Sequence, residues 1–301
     1  MNKKLFIVFA FLLLSLSGCG IVSLGYKYAD VYLRYTVNSY ATFSEQQKDF
    51  ISKQVDLYML WHRKNMLPVY VAFLQEMQRS VASGNVLKKE DVARYRKELR
   101  SLYVRTLQPL VNPATALLSS VEPRQIEELV QSLAKENKKQ KDKELSGSLD
   151  DKRHNRAERT VDFLENIVGA FSDSQLEQIR AASIKLPFAT SIYMQMREDN
   201  QAHLLGLLAN NSKEEVVANF LSLWLLMPEK FRSPEEQRIL QEFERASDEM
   251  IAEVYSILNE HQRDKLLKTI EKYIASFQDL SSQSQLSNTN SRLKNVSIFD
   301  I

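Results

Sequence analysis

The chain has 301 residues, with 40 Lys and Arg against 38 Asp and Glu, seven glycines, seven prolines and one cysteine. The balanced charge argues against a nucleic-acid-binding protein, which usually carries a marked basic excess, and a single cysteine excludes an intrachain disulfide. The low glycine and proline content favours helices, so we expect an all-α fold, an irregular multi-helix bundle of about ten helices.

The first predicted element is a cleaved signal peptide over residues 1–18, with a basic start, an apolar run over 5–14 and small residues after it. The run is about half the ~20 residues that a membrane-spanning helix needs. The string LSGC at 16–19 resembles the bacterial lipobox, where the cysteine is lipidated and the chain is cut before it. This resemblance implies acyl chains, palmitate among them, on Cys19 and a lipidated tether over 19–25. A plain secretory signal is the alternative.

Other features agree with a lipid anchor on Cys19. It is the only cysteine, and an exported protein rarely carries one free thiol. At ~0.8 kcal/mol per buried methylene, several acyl chains anchor a protein effectively permanently. Gly20 stands where Asp would signal retention in the inner membrane. We therefore expect attachment to the cell outer membrane on its periplasmic face.

Residues 26–41 are predicted to form the first helix of the folded body. Tyr28, Tyr32 and Tyr35 follow one another at helical spacing and share one face. We interpret this face as part of the core, with a tyrosine belt at the membrane interface as the alternative. The tether of about seven residues reaches at most ~25 Å, so the body is expected to lie close to the membrane.

The next helix carries the most distinctive string, Trp61-His62-Arg63. His62 continues the buried face predicted from Ile51 and Val55. A functional interpretation makes His62 an acid/base or ligand contact and Arg63 the holder of an anion. The preferred interpretation makes His62 a hydrogen-bonded core residue and Arg63 a cation at a helix end.

The remaining elements are also predicted as helices, with Pro68 starting one of them. Further helices are expected from Lys88 to Leu107 and over 124–134, 153–169, 172–184, 186–209, 213–227, 234–257 and 260–278. The charged stretch 135–159 is predicted to be a solvated helix end and a loop around Gly147. The predicted domain is thus 26–279, with a subdivision best placed near 135–155, and 280–301 should form a disordered tail.

Four boxes share one pattern: an apolar residue, a capping or acidic residue, two further positions and Gln. They begin at Phe43, Val121, Phe171 and Leu258. The pattern is a capping box, in which the cap and the Gln satisfy exposed amides at a helix start. It also resembles the LTxxQ motif of small periplasmic stress chaperones, although two boxes have Ser for Thr and two have neither. The unequal separations argue against a solenoid.

No catalytic, metal or cofactor motif stands out. The four histidines are scattered without a second His or Cys at metal spacing, and there is no phosphate-binding glycine loop or nucleophile elbow.

The lipobox, the string FSEQQ…LYMLWHRKNMLPVYVAFLQEM at 43–77 and RAERTVDFLENIVGAFSDSQ at 156–175 resemble an uncharacterised proteobacterial lipoprotein family. Its members have a similar WHR helix and a later R-x-x-R pair, which Arg156 and Arg159 match here. The resemblance implies a location and a helical fold but no activity. We take Trp61, His62, Arg63, Arg156 and Arg159 as candidate ligand-binding residues.

Two hypotheses on function follow. The first is a non-enzymatic, outer-membrane-anchored periplasmic protein that binds an envelope protein or component, with a chaperone-like action suggested by the boxes. The alternative is an envelope hydrolase or ligand-sensing enzyme that uses His62 and Arg63.

Overall fold

The computed structural model describes the backbone of residues 25–296 and the side chains of residues 25–282. Across these residues every regular element is a helix, which confirms the all-α prediction. The predicted signal peptide and Cys19 lie outside the described residues, and so do the side chains of most of the predicted tail. The signal peptide, the lipidation of Cys19 and the disorder of the tail therefore stay predictions.

The helices are α1 (Ala29–Asn38), α2 (Glu45–Asn65), α3 (Leu67–Ala82), α4 (Lys89–Leu107), α5 (Val111–Ser119), α6 (Pro123–Glu144), α7 (Leu149–Val168), α8 (Asp173–Lys185), α9 (Thr190–Ala209), α10 (Glu214–Leu226), α11 (Pro234–Ser256) and α12 (Glu260–Val296). Short 3-10 turns, Gln108–Leu110 and Pro228–Phe231, precede α5 and α11.

The same succession of helices, with equivalent packing partners, occurs twice along the chain. The helices α2–α6 form one set of five and α8–α12 form a second, and each set has its 3-10 turn between its third and fourth helices. The second helix of each set packs on the fifth of the other, as α3 on α12 and α9 on α6. The third helix of each packs on the fourth of the other, as α4 on α11 and α10 on α5. The described body is therefore an interleaved bundle with an approximate internal two-fold repeat.

The repeat is faintly visible in the sequence once the helices are known. A Leu-Pro pair occurs near the start of the second helix of each set, at the first residues of α3 (Leu67-Pro68) and just before α9 (Leu186-Pro187), and both leucines are buried. Similar strings mark the starts of the third helices: KEDV at 89–92 opens α4, and KEEV at 213–216 begins one residue before α10. These short matches were too few to reveal the repeat without the structure.

Several predicted helix boundaries were wrong: the helix predicted over 124–134 runs to Glu144, and another prediction failed beside a proline. Helix α9 begins at Thr190 rather than at 186, because Leu186 is extended (φ −59°, ψ 140°), as the residue before a proline tends to be. Pro113, in contrast, lies inside a helix. It sits in the first turn of α5, where no N–H is needed.

The charged stretch between α6 and α7 turns at Gly147, as expected. Its φ of 81° lies in the left-handed region that glycine adopts without strain. Helix α7 then starts with a capping box between Ser148 and Asp151. None of the helices among the described residues is both long enough and apolar enough to cross a bilayer.

Candidate functional site

The glutamines of the first two boxes, Gln47 and Gln125, form a reciprocal amide pair. Gln47 Nε2 donates to Gln125 Oε1 over 3.2 Å, and Gln125 Nε2 donates to Gln47 Oε1 over 2.7 Å. The Gln47 amide also donates to the carbonyl of Ser120 at 3.0 Å, and that of Gln125 to the carbonyl of Thr42 at 2.9 Å. The N-termini of α2 and α6 are thereby joined.

The last two boxes repeat this geometry with Gln175 and Gln262. Gln175 Nε2 donates to Gln262 Oε1 over 2.8 Å, and Gln262 Nε2 donates back over 3.1 Å. The Gln175 amide also donates to the carbonyl of Ile257 at 2.7 Å, and that of Gln262 to the carbonyl of Ala170 at 2.9 Å. In all four boxes the carbonyl lies two residues before the N-cap of the partner box, so the two pairs have one design.

Each box also caps its own helix, which confirms the capping interpretation. The hydroxyls of Ser44 and Ser172 accept the backbone N–H of the glutamine three residues later, at 3.3 and 3.4 Å. Asn259 Oδ1 does the same at 2.9 Å. The pairing itself was missed, because helix-start patterns carry no information on which helix ends meet.

His62 lies in the core, where a chain of polar groups surrounds it. Its Nδ1 is 2.8 Å from the hydroxyl of Tyr26, and its Nε2 is 3.3 Å from the hydroxyl of Tyr70. The Tyr70 hydroxyl in turn meets Thr106 Oγ1 at 2.5 Å, and Tyr58 donates to the carbonyl of Thr106 at 3.2 Å. Both ring nitrogens therefore already have hydroxyl partners.

The surroundings of His62 keep the imidazole neutral. Burial, aided by the nearby positive charge of Arg63, lowers the pKa of His62 to about 4. Burial raises the pKa of the tyrosine hydroxyls of Tyr26, Tyr58 and Tyr70 above their usual value. A neutral ring held by neutral hydroxyls matches the interpretation of His62 as a hydrogen-bonded core residue.

The two neighbours of His62 take part in the same cluster. The ring of Trp61 stacks on that of Tyr58 with 5.9 Å between centroids. The guanidinium of Arg63 lies over the ring of Tyr26, 5.5 Å from its centroid. All three residues of the WHR string thus contact aromatic side chains of the body.

The arginine pair has separate partners. Arg156 Nη2 donates to the carbonyls of Ser183 and Leu186, both at 2.8 Å, and its Nη1 donates to that of Pro187 at 3.0 Å. These carbonyls lie at the end of α8, so Arg156 caps that helix end. Arg159 forms an ion pair with the buried carboxylate of Glu144 at 3.3 Å. No residue is a partner of both Arg156 and His62 in these contacts.

An open cleft of about 420 Å³ lies beside the first box pair. It is lined by residues 38–43 with Lys48, Glu128, Gln131 and Ser132. Glu128 accepts the backbone N–H of Thr42, and this bond, with help from Arg124, holds the pKa of its carboxyl below the usual range. The cleft has the volume of a small-molecule site, but its lining contains no histidine or cysteine. Among the described residues, no three His, Cys, Asp or Glu side chains are grouped to hold a metal ion.

The outward face of α1 corrects one sequence-based interpretation. Tyr28, Tyr32 and Tyr35 are 55, 46 and 71% exposed. The expectation that they belong to the core is therefore wrong. Helical spacing shows that residues share a face, but not towards which side that face points.

Comparison with known proteins identifies a family but assigns no activity to it. Residues 39–235 match the sequence profile of DUF6279, described as a family of unknown function. No curated protein and no solved structure matched the chain.

Proposed function

The chain belongs to the family of unknown function DUF6279, and we propose that it is an outer-membrane-anchored periplasmic lipoprotein that acts by binding an envelope component. The observation that carries this proposal is the string LSGC at 16–19, directly after a short apolar run. It supplies an anchor at Cys19, and the body begins soon after it.

The start of the body supports a function close to the membrane. Tyr26, seven residues after Cys19, is only 1% exposed, and its hydroxyl bonds to His62 in the core. Seven residues span at most ~25 Å. A chain anchored at Cys19 would therefore hold the whole bundle against the membrane surface.

The polar groups of the described residues favour binding over catalysis. A hydrolase that uses His62 would need one of its ring nitrogens to meet a substrate, whereas both nitrogens face tyrosine hydroxyls inside the core. Arg156 is likewise committed to backbone carbonyls. His62 and Arg156 are thus already engaged in holding the fold.

A chaperone-like action, which the box motif suggests, would need a surface other than the four glutamines. Their amides bond to one another and to backbone carbonyls, so they are not available to an unfolded client. Among the described residues, the cleft beside the first pair and the exposed face of α1 are two surfaces suited to a binding role.

The test combines membrane fractionation with cross-linking in intact cells. Wild-type protein should sediment with the outer membrane, Gly20→Asp should shift it to the inner membrane, and Gly20→Asn serves as the matched uncharged control. Cross-linking of the wild type should then capture a defined envelope protein or component. Recovery of wild-type protein in the soluble periplasm would contradict the proposal.

A further inference from the structure

The outward face of α1 is apolar and aromatic where a solvated helix would carry charge. Val31 is 56% exposed and lies among the exposed Tyr28, Tyr32 and Tyr35. The charged residues of α1, Asp30 and Arg34, are less exposed, at 28 and 25% of their side chains. A tyrosine ring suits a place where one end meets apolar groups and the hydroxyl meets water.

The orientation of α1 is fixed by its inner face. Ala29 is buried and Leu33 packs against the core. Arg34 Nη1 bonds to Asp30 at 2.7 Å, and its Nε donates to Ser52 of α2 at 3.2 Å. The one carboxylate of α1, Asp30, is thus neutralised by Arg34. The helix cannot roll to bury its tyrosines without breaking these bonds.

We propose that α1 lies in the membrane interface, with Tyr28, Tyr32 and Tyr35 at the level of the lipid headgroups. This inference rests on the proposed function, since lipid on Cys19 brings the bilayer to α1. Tyr28 is nine residues after Cys19, a reach of about 30 Å at most. The exposed Val31 and the three tyrosines are uncharged, which also suits contact with a headgroup layer.

A second copy of the chain fits this face less well than a bilayer does. Helix α1 has ten residues and is about 15 Å long at 1.5 Å per residue. A stable protein interface buries about 800 Å² on each partner and uses roughly 20–30 residues a side. The tyrosine face supplies only a small part of that area.

The experiment measures the depth of a single label in vesicles. Acylation of Cys19, the only cysteine, leaves an introduced thiol as the sole site for a fluorophore. Tyr35→Cys carries the probe on α1, and Val86→Cys, 73% exposed between α3 and α4, is the matched control. The lipidated proteins are reconstituted into phosphatidylcholine–phosphatidylglycerol vesicles, and mass spectrometry records the acyl chains.

We expect the label at position 35 to be quenched severalfold less by iodide than the label at position 86, and to be quenched by brominated lipid. Equal iodide quenching at both positions on an acylated protein would overturn the inference and leave the proposed function standing. Shielding in cells but not in vesicles would also overturn it, and would indicate a protein partner. A chain without acyl groups would overturn the proposed function and this inference with it.

Discussion

Gln47 and Gln125 stand 78 residues apart, yet each donates a side-chain hydrogen to the other's Oε1, over 3.2 and 2.7 Å. The pair joins the N-termini of α2 and α6, and Gln175 with Gln262 joins those of α8 and α12 in the same way. Each half of the internal repeat is therefore joined within itself by one such pair. We expect the two glutamines of each pair to contribute to stability together.

Gln47→Ala and Gln125→Ala should each lower the free energy of unfolding by ~1–3 kcal/mol, because each leaves carbonyls and an amide unpaired. The double variant should lose less stability than the sum of the two single losses, because the first substitution has already broken the hydrogen bonds between the two side chains. Urea unfolding of the four proteins gives the coupling energy, expected at ~0.5–3 kcal/mol.

Gln46→Ala is the matched control for this cycle, because Gln46 is the exposed neighbour of Gln47 on the same helical turn. It should change stability by no more than ~0.5 kcal/mol. Strict additivity of the two box variants would show that the amides do not act together.

The hydroxyls of the first and third boxes should be replaceable by a carboxylate. Ser44→Asp and Ser172→Asp should keep stability, since aspartate caps as well as serine and its charge favours a helix N-terminus. Ser→Ala should cost ~0.5–2 kcal/mol at either site. Thermal melting tests this beside an aggregation-suppression assay. Suppression lost in the Asp variants alone would favour a client-binding surface over capping.

Much of the fold could be predicted from local signals. The boxes at Ser44, Glu122 and Ser172 mark true helix starts, since a cap acts within four residues. The pairing of the boxes and the exposure of Tyr35 could not be predicted, because both depend on how distant helices meet. The core position of His62 lay between these cases. Its place on a predicted buried face was right, but its hydrogen-bond partners Tyr26 and Tyr70 lie outside its own helix.

Acid should destabilise the protein through His62. The folded ring keeps a pKa of about 4 against the ordinary 6.5, so between these values the unfolded chain binds a proton that the folded chain does not. Stability therefore falls as the pH falls through this window, by about 2 kcal/mol between pH 7 and pH 5. Denaturant unfolding at the two pH values measures the loss.

His62→Gln should remove most of this pH dependence, even if the substitution also lowers the free energy of unfolding at pH 7. His154→Gln is the matched control, since the His154 side chain is 65% exposed, and it should leave the dependence in place. An unchanged pH dependence in His62→Gln would mean that other groups cause the acid sensitivity.

Arg156 should matter as a helix cap. Arg156→Met keeps the apolar stem but removes the donors to the carbonyls of Ser183, Leu186 and Pro187, and should cost about 2–3 kcal/mol of stability. Arg153→Met, one turn earlier on α7 with only a 3.7 Å ion pair to the exposed Asp150, should cost less than ~1 kcal/mol. Normal stability in Arg156→Met with a lost cellular phenotype would instead favour ligand binding by this arginine.

Metabolic labelling with a fatty-acid probe tests the lipid anchor most directly. The account predicts that wild-type protein takes up the label and that Cys19→Ala takes up none, because the chain has no other cysteine. Labelling that persists in Cys19→Ala, or wild-type protein that never takes up the probe, would contradict a lipid anchor on Cys19.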